Sequence, residues 1–567
     1  MTVWGSGGNL RGMFELPPAP RLSGAVLRSI VKATGAEPVR RTLATLMRKD
    51  LGITAALALP AGARDAQPLH ARPLRARDRY ERSDAGLTPP EGVDALPSAA
   101  GWQARYEKGE ARPDEVIERV FAEARRLESA TPTMRCFSAT DEEGALREAK
   151  RSAERWAKGE PLSPLDGVPV PIKEEVDIDG HGYRLGTAFV PPRDASDGTS
   201  VARLRKAGAI IVGHTAMTEM GMSPLGGNTQ REMPRNVHAR DRLPGGSSTG
   251  SAVAVGSGLA PVSLGSDGGG SIRIPACFNG LFGIKPTFGR VSRAGDGFGG
   301  TVDHLGPIGA SSRDLAIFLE AASGPDPADE LTHGTPEIES GELLRALGRG
   351  VTGLRVGVLQ GEIDDADPAV ASACRDALAV LQREGAILVD VELPLAKHAA
   401  GIGYLTIGVE TYVSLLDARR EHWSSIGPDL QLLCRLLSTF ESSDYLDAQC
   451  LRAALRVQAA ELLREVDVLA MPTTRSVAPT VTDLDLKQGF ADTPALQGAC
   501  RYAFLGNLTG LPAGTAPIGY GDADLPVGLQ IVGDAFDEHS VLSVLAHLER
   551  LGVASVRAPR IPANPLG

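Results

Sequence analysis

Apolar residues first settle into a helical period from Pro113 to Ala130, where Val116, Ile117, Val120, Phe121, Ala124 and Leu127 share one face behind a proline suited to a first turn. The spacing predicts a second helix over Glu143 to Lys158. The pattern then changes to short apolar runs. Gly167 to Lys173 (GVPVPIK) reads as a buried strand ending in a lysine, Ser200 to Ala207 as a helix, and Ala209 to Gly213 (AIIVG) as another strand. The alternation returns as a strand at Leu354 to Leu359, a helix at Ala369 to Glu384 and a strand at Ala386 to Leu393. Strand-helix-strand order of this kind predicts an α/β fold, a parallel sheet covered by helices. No internal repeat and no heptad run interrupts it.

The first 95 residues differ in kind. Val26, Leu27, Ile30 and Val31, then Leu43, Leu46 and Met47, fall at helical spacing within 22–59, and 60–98 is rich in Pro, Arg and Asp. Residues 1–95 carry a net charge of +5 and the remainder −16, which marks a boundary. The expected organisation is a helical or linker extension over 1–95 and a catalytic domain over 96–567. The extension reads either as a membrane or partner-docking arm or as a helical pair packed on the main body; its short helices and modest charge favour the second. The opening MTVWGSGGNLRGMFELPP lacks the charged and apolar regions of a secretory signal, and Leu51 to Gly62 falls short of the ~20 residues a spanning helix needs. No transmembrane segment is expected.

Composition narrows the function. Of 567 residues 42% are hydrophobic and 23% charged, the balance of a globular protein with a large core. A net charge of −11 argues against nucleic acid or an anionic membrane as a general partner. The cysteines, 136, 277, 374, 434, 450 and 500, are too dispersed for any CxxC metal or redox motif, and reduced thiols in a cytoplasmic enzyme are the expectation.

The densest chemical signal is Pro244-Gly-Gly-Ser-Ser-Thr-Gly-Ser251, followed by Gly265-Ser-Asp-Gly-Gly-Gly-Ser271-Ile-Arg273. Successive glycines let backbone N–H groups point into one concavity, as an oxyanion requires. Apolar flanks such as Ala252-Val-Ala-Val distinguish these stretches from mobile linkers. Two nucleophiles compete. Gly246-Ser-Ser248-Thr-Gly250 matches the G-x-S-x-G elbow of an α/β-hydrolase esterase, with His539 near Asp534 and Asp537 as partners, yet no strand precedes it. The alternative uses Lys173, whose burial at a strand end favours the neutral amine and so a base.

Taken together, Leu165 to Lys173, Leu243 to Ser251, Gly265 to Pro275 and Gly280 to Thr287 resemble the amidase signature family, as do Met471-Pro-Thr-Thr474, Asn507 to Pro512 and Leu525 to Ile531. The resemblance runs in unbroken order from about 100 to 555, and it implies an α/β fold with a mixed, largely parallel central sheet covered by helices on both faces, behind a helical N-terminal extension. It implies a Ser-(cis-Ser)-Lys triad of Ser271 as nucleophile, Ser247 as bridging cis serine and Lys173 as terminal base. It further implies an oxyanion hole from the N–H groups of Gly268, Gly269, Gly270 and Ser271, with Asp267 and Arg273 holding the loop and Ser248 reduced to a supporting hydroxyl. Glu174 stands where the family usually has aspartate, Thr249 where it has glycine, Ser266 where it has threonine, and His304 where glutamine is common; His304 reads as a pocket or a structural residue.

The resemblance implies hydrolysis of a small-molecule amide through a Ser271 acyl-enzyme, with no cofactor and no metal. The glutaminase subunit of a tRNA-dependent amidotransferase and an inactive scaffold are the other readings, and a homodimer stays open. Regions 295–310 and 400–450 are expected to supply the pocket.

Overall fold

The computed structural model describes residues 21–64, 73–76, 85–88, 90, 92–93 and 96–567. The opening MTVWGSGGNLRGMFELPP and much of the 60–98 strap lie outside them. An eleven-stranded sheet organises the rest. Its strands in chain order are β1 (Phe137–Thr140), β2 (Pro169–Lys173), β3 (Ile210–Thr215), β4 (Val262–Ser266), β5 (Phe282–Lys285) and β6 (Leu305–Gly309), then β7 (Arg355–Val358), β8 (Ile387–Asp390), β9 (Val468–Pro472), β10 (Ala513–Tyr520) and β11 (Pro526–Gly533). Their spatial order is 8-7-9-11-10-5-6-4-2-3-1.

The mixed sheet and its helical cover match the sequence expectation. The balance of directions does not. Pairs β2–β3, β2–β4, β7–β8 and β7–β9 are parallel, and the other six neighbouring pairs are antiparallel. The strand-helix-strand units read from sequence lie toward the two ends of the sheet. The middle is built from strands joined antiparallel, and hydrophobic runs such as β4 and β6 look alike in sequence whichever way they pair. Hairpin β10–β11 lies between the strands of the first half and those of the second, touching β5 on one side and β9 on the other.

β2 is buried on both faces, with Val170 and Ile172 wholly inaccessible. Its register against β3 shifts between Val170 and Ile172, at Pro171, which has no N–H to give the ladder. Helix Glu142–Lys158 packs on β3 and on helix Pro113–Glu128, and it is started by Asp141, whose side chain accepts from Gly144 N at 2.9 Å. On the other half, Glu538–Arg550 buries Val541, Leu542 and Leu545 against β10 and β11.

The N-terminal segment forms helices Gly24–Ala33, Glu37–Asp50 and Ile53–Leu57. Leu27 and Ala44 pack on Leu432 and Leu436 of helix Pro428–Leu437. Gly52 comes so close to helix Ala399–Ser414 that a Cβ on Gly401 would lie 2.5 Å from the Gly52 carbonyl oxygen. The packed-on-body reading fits this arrangement. Among the described residues no helix is long and apolar enough to cross a membrane.

Candidate active site

Lys173 closes β2 and is fully buried. The parallel register that sets Ile172 opposite Leu264 carries Ser266, the last residue of β4, to the same level. The lysine Nζ donates to Ser247 Oγ at 2.7 Å and to Ser266 Oγ at 2.5 Å, and lies 2.7 Å from Glu175 Oε2. Ser266 Oγ in turn donates to Glu175 Oε2 at 2.8 Å. A tight turn, with Glu175 N bonded to Lys173 O at 2.6 Å, folds that carboxylate back onto the amine. The sequence suggested a buried neutral amine; the structure gives it a buried acidic partner and three acceptors for the three protons of an ammonium. Neither Glu175 nor Ser266 was anticipated as a lysine partner. Glu174 turns away to pair with Arg231; burial pushes its carboxyl up although Arg231 opposes the shift.

Ser247 follows a cis peptide bond from Gly246. A Cβ on Gly246 would meet Ser223 O at 2.7 Å, so only glycine allows the chain through. Ser247 borders the cavity that contains Ser271: a Cβ on Gly221, which lines that cavity, would lie 3.5 Å from Ser247 Oγ. Ser248 is fully buried, and its Oγ donates to Ser266 O at 3.1 Å and accepts from Ser266 N at 3.2 Å. Its N–H reaches Ser271 O at 3.4 Å. Its hydroxyl therefore ties loop to strand, and the residues before it form irregular chain and bends rather than a strand. His539 Nε2 is bonded to Glu342 Oε1 at 2.8 Å. The elbow reading finds no support in these contacts.

After β4 the chain runs through Asp267 and the three glycines to Ser271 and helix Arg273–Phe278. Asp267 and Arg273 are both wholly buried. The carboxylate accepts from Gly270 N (2.7 Å), Ile272 N (3.1 Å), Asn507 Nδ2 (2.8 Å) and Arg273 Nε (3.0 Å). Burial pushes the Asp267 carboxyl up, but Arg273 and the amide donors outweigh it and hold it well below the usual range. This corrects one expectation. The N–H of Gly270 is spent on Asp267 and is not free for an oxyanion. Among the described residues none accepts from the N–H groups of Gly268, Gly269 or Ser271. Gly269 has a second reason to be glycine, since a Cβ there would stand 2.6 Å from the Phe504 ring. His304 lies off the cavity, its Nδ1 2.8 Å from Val302 O and its ring edge-on to Phe288.

Ser271 and Gly269 open onto a cavity walled by Met222, Tyr404, Ile407, Leu433, Leu437, Phe440, Leu496, Cys500 and Phe504. Met47, Leu51 and Ile53 from the N-terminal segment add to the wall, and among the described residues it carries no charged side chain. Region 400–450 contributes as expected; 295–310 does not. Glu219 begins the short turn that carries Gly221. Its Oε2 accepts from Gly427 N at 2.9 Å, and burial together with nearby Asp429 pushes it up to about 8.

Residues 118–542 match the sequence profile of the family described as Amidase. A fatty acid amide hydrolase from Medicago truncatula is 34% identical over 448 residues, covering 77% of this chain and 73% of its own. A glutamyl-tRNA(Gln) amidotransferase subunit from Chloroflexus aurantiacus is 35% identical over 491 residues, covering 81% and 97%. Among solved structures, a bacterial aryl acylamidase superposes with a TM-score of 0.70 at 26% identity over 80% of this chain and 96% of its own.

Proposed function

The chain belongs to the amidase signature family and is a hydrolase of amide C–N bonds, and from that premise we propose that it cleaves amides with an apolar acyl group through an acyl-enzyme on Ser271. The carrying observation is the buried contact of Lys173 Nζ with Ser247 Oγ, beside a cavity that exposes Ser271.

Ser271 Oγ attacks the amide carbonyl while its proton passes to Ser247, whose own proton moves to Lys173. The N–H groups of Gly268, Gly269 and Ser271 receive the developing oxyanion, and the loop that bears them is held by the Asp267–Arg273 pair. The relay then runs backward and protonates the departing amine, and water releases the acid by the same path. The uncharged cavity wall favours a hydrocarbon acyl chain over the polar amino-acid end of glutamine. The 97% coverage of an amidotransferase subunit keeps the glutaminase reading in view.

The test combines labelling with a substrate panel. A fluorophosphonate probe is expected to modify Ser271, and the purified chain is expected to prefer fatty acyl amides to glutamine and to acetamide. Modification of Ser248 instead, or turnover of glutamine alone, would overturn the proposal.

A further inference from the structure

Glu175 does not meet Lys173 in isolation. Its carboxylate shares a buried space with those of Asp296 and Asp303, and oxygens of all three lie within 4.8 Å of one another. Among the described residues two cations face this group: Lys173 from the end of β2, 2.7 Å from Glu175, and Arg293, whose Nε stands 3.5 Å from Asp296 Oδ2. No hydrogen-bond donor among the described residues reaches Asp303 Oδ2. Three carboxylates against two cations leave one negative charge unbalanced. Isolated charge in such surroundings is costly, and carboxylates this close do not all ionise together. One added proton balances the count and supplies the donor that the unpartnered oxygen lacks. Burial and Glu175 push Asp303 up to about 7 and raise Asp296 in the same direction.

We propose that Glu175, Asp296 and Asp303 form a buried proton-holding group that sets the pH at which Lys173 acts, with Glu175 as the positioning residue in direct contact with the amine. The proposal rests on the reading of Lys173 as terminal base. Glu175 Oε2 lies 2.7 Å from Lys173 Nζ, so a proton between them changes side without any rearrangement of the chain. As Ser271 attacks, the Nζ–H bond facing Glu175 breaks and an O–H bond forms at Oε2. The nitrogen lone pair so released accepts the Ser247 proton. When Lys173 returns that proton to Ser247, the Glu175 proton goes back to Nζ, so charge and protons balance over the cycle. The ammonium thus stays available without a lasting uncompensated charge. The proton shared by Asp296 and Asp303 keeps the rest of the group neutral near pH 7. As it leaves at higher pH, the added negative charge favours the ammonium again and broadens the rise of activity.

The test is the pH profile of kcat/KM for a fatty acyl p-nitroanilide, measured on wild type, Lys173→Ala, Glu175→Gln, Glu175→Asp and Asp303→Asn, each with near-UV circular dichroism to verify folding. Glu175→Gln removes the acceptor of the ammonium proton, so the amine must lose that proton to solvent before Ser271 attacks, and the acidic limb is expected to move to higher pH by more than about 1 pH unit. Glu175→Asp is expected to restore the wild-type limb, and Asp303→Asn to steepen it to a single-proton slope. Should Glu175→Gln fail to fold, the steepening in Asp303→Asn decides. Profiles superimposable on wild type, with Lys173→Ala inactive, would overturn the inference alone. An active Lys173→Ala would overturn the base reading beneath it.

Discussion

Arg273 Nη2 lies 2.9 Å from Asp267 Oδ1, and both side chains are entirely shut away from solvent beneath the glycine loop that ends at Ser271. The pair holds the loop, because the same carboxylate gathers the Gly270 and Ile272 N–H groups while the guanidinium reaches Ala503 O at 2.8 Å and Asn507 Oδ1 at 2.7 Å. Asp267→Ala strands a buried cation, and a loss of about 3–5 kcal/mol of stability is expected. Because Asp267 is held below its unfolded value, its stabilisation is complete above about pH 4 and declines as acid protonates it. Thermal melts between pH 2 and 7 check both points: Asp267→Asn is expected to lose most near neutrality and little in strong acid. A constant difference across that range would refute the assignment.

The relay from Ser271 through Ser247 to Lys173 predicts strong non-additivity. Lys173→Ala and Ser247→Ala should each lower kcat by roughly 10²- to 10⁴-fold, the usual worth of positioned acid–base groups. The double variant should be no slower than the poorer single, since both act on one proton path. Additive losses in steady-state kinetics would separate the two residues into independent roles.

Leu51 is 6% exposed, and it lines the cavity although it precedes the family match by more than sixty residues. Leu51→Ala is expected to raise KM for long-chain amides about tenfold, in line with roughly 1–3 kcal/mol for lost apolar contact in a binding pocket. Short-chain amides should be unaffected. The division at residue 95 becomes testable on the same assay: a chain starting at 96 is expected to lose its chain-length preference before it loses turnover, and an unchanged preference would place the helices outside the acyl site.

Glu219 predicts a pH effect of opposite sign to Asp267. With its folded value near 8 and an unfolded value of about 4.3, the folded state binds the extra proton between them, so this group makes stability fall as pH rises through that interval. Glu219→Gln should remove that fall. Its melting temperature relative to wild type is expected to climb from pH 5 to pH 8 and then level off; a flat difference would mean that Glu219 is ionised throughout.

The sequence exposed what is local. GVPVPIK, with its apolar run and terminal lysine, announced β2 and Lys173, and the serine-glycine stretches announced both loops that meet there. It concealed what depends on neighbours. Ser266 reaches Lys173 because β4 lies parallel to β2 in one register, and Glu175 reaches it through a tight turn after the strand, neither of which apolar periodicity encodes. Gly270 looked like its two companions until Asp267 claimed its N–H. Met47 reads as an ordinary core-facing residue of a short helix, for the same apolar face serves a wall of protein or a wall of substrate cavity.

The position of β10 and β11 matters to how the chain is made. Six strands from the first 310 residues form one sheet fragment ending at β5, and three later strands form another ending at β9; the last hairpin joins them. During synthesis both fragments carry an open edge until residue 533 has emerged, and open edges invite pairing with other chains. The Arg273 bond to Gln530 Oε1 arises only at that moment, so the loop bearing Ser271 acquires its last support from the final strand. A ribosome stalled before residue 513 would hold two halves with nothing between them, and the nascent enzyme would be most prone to aggregate just before it becomes competent.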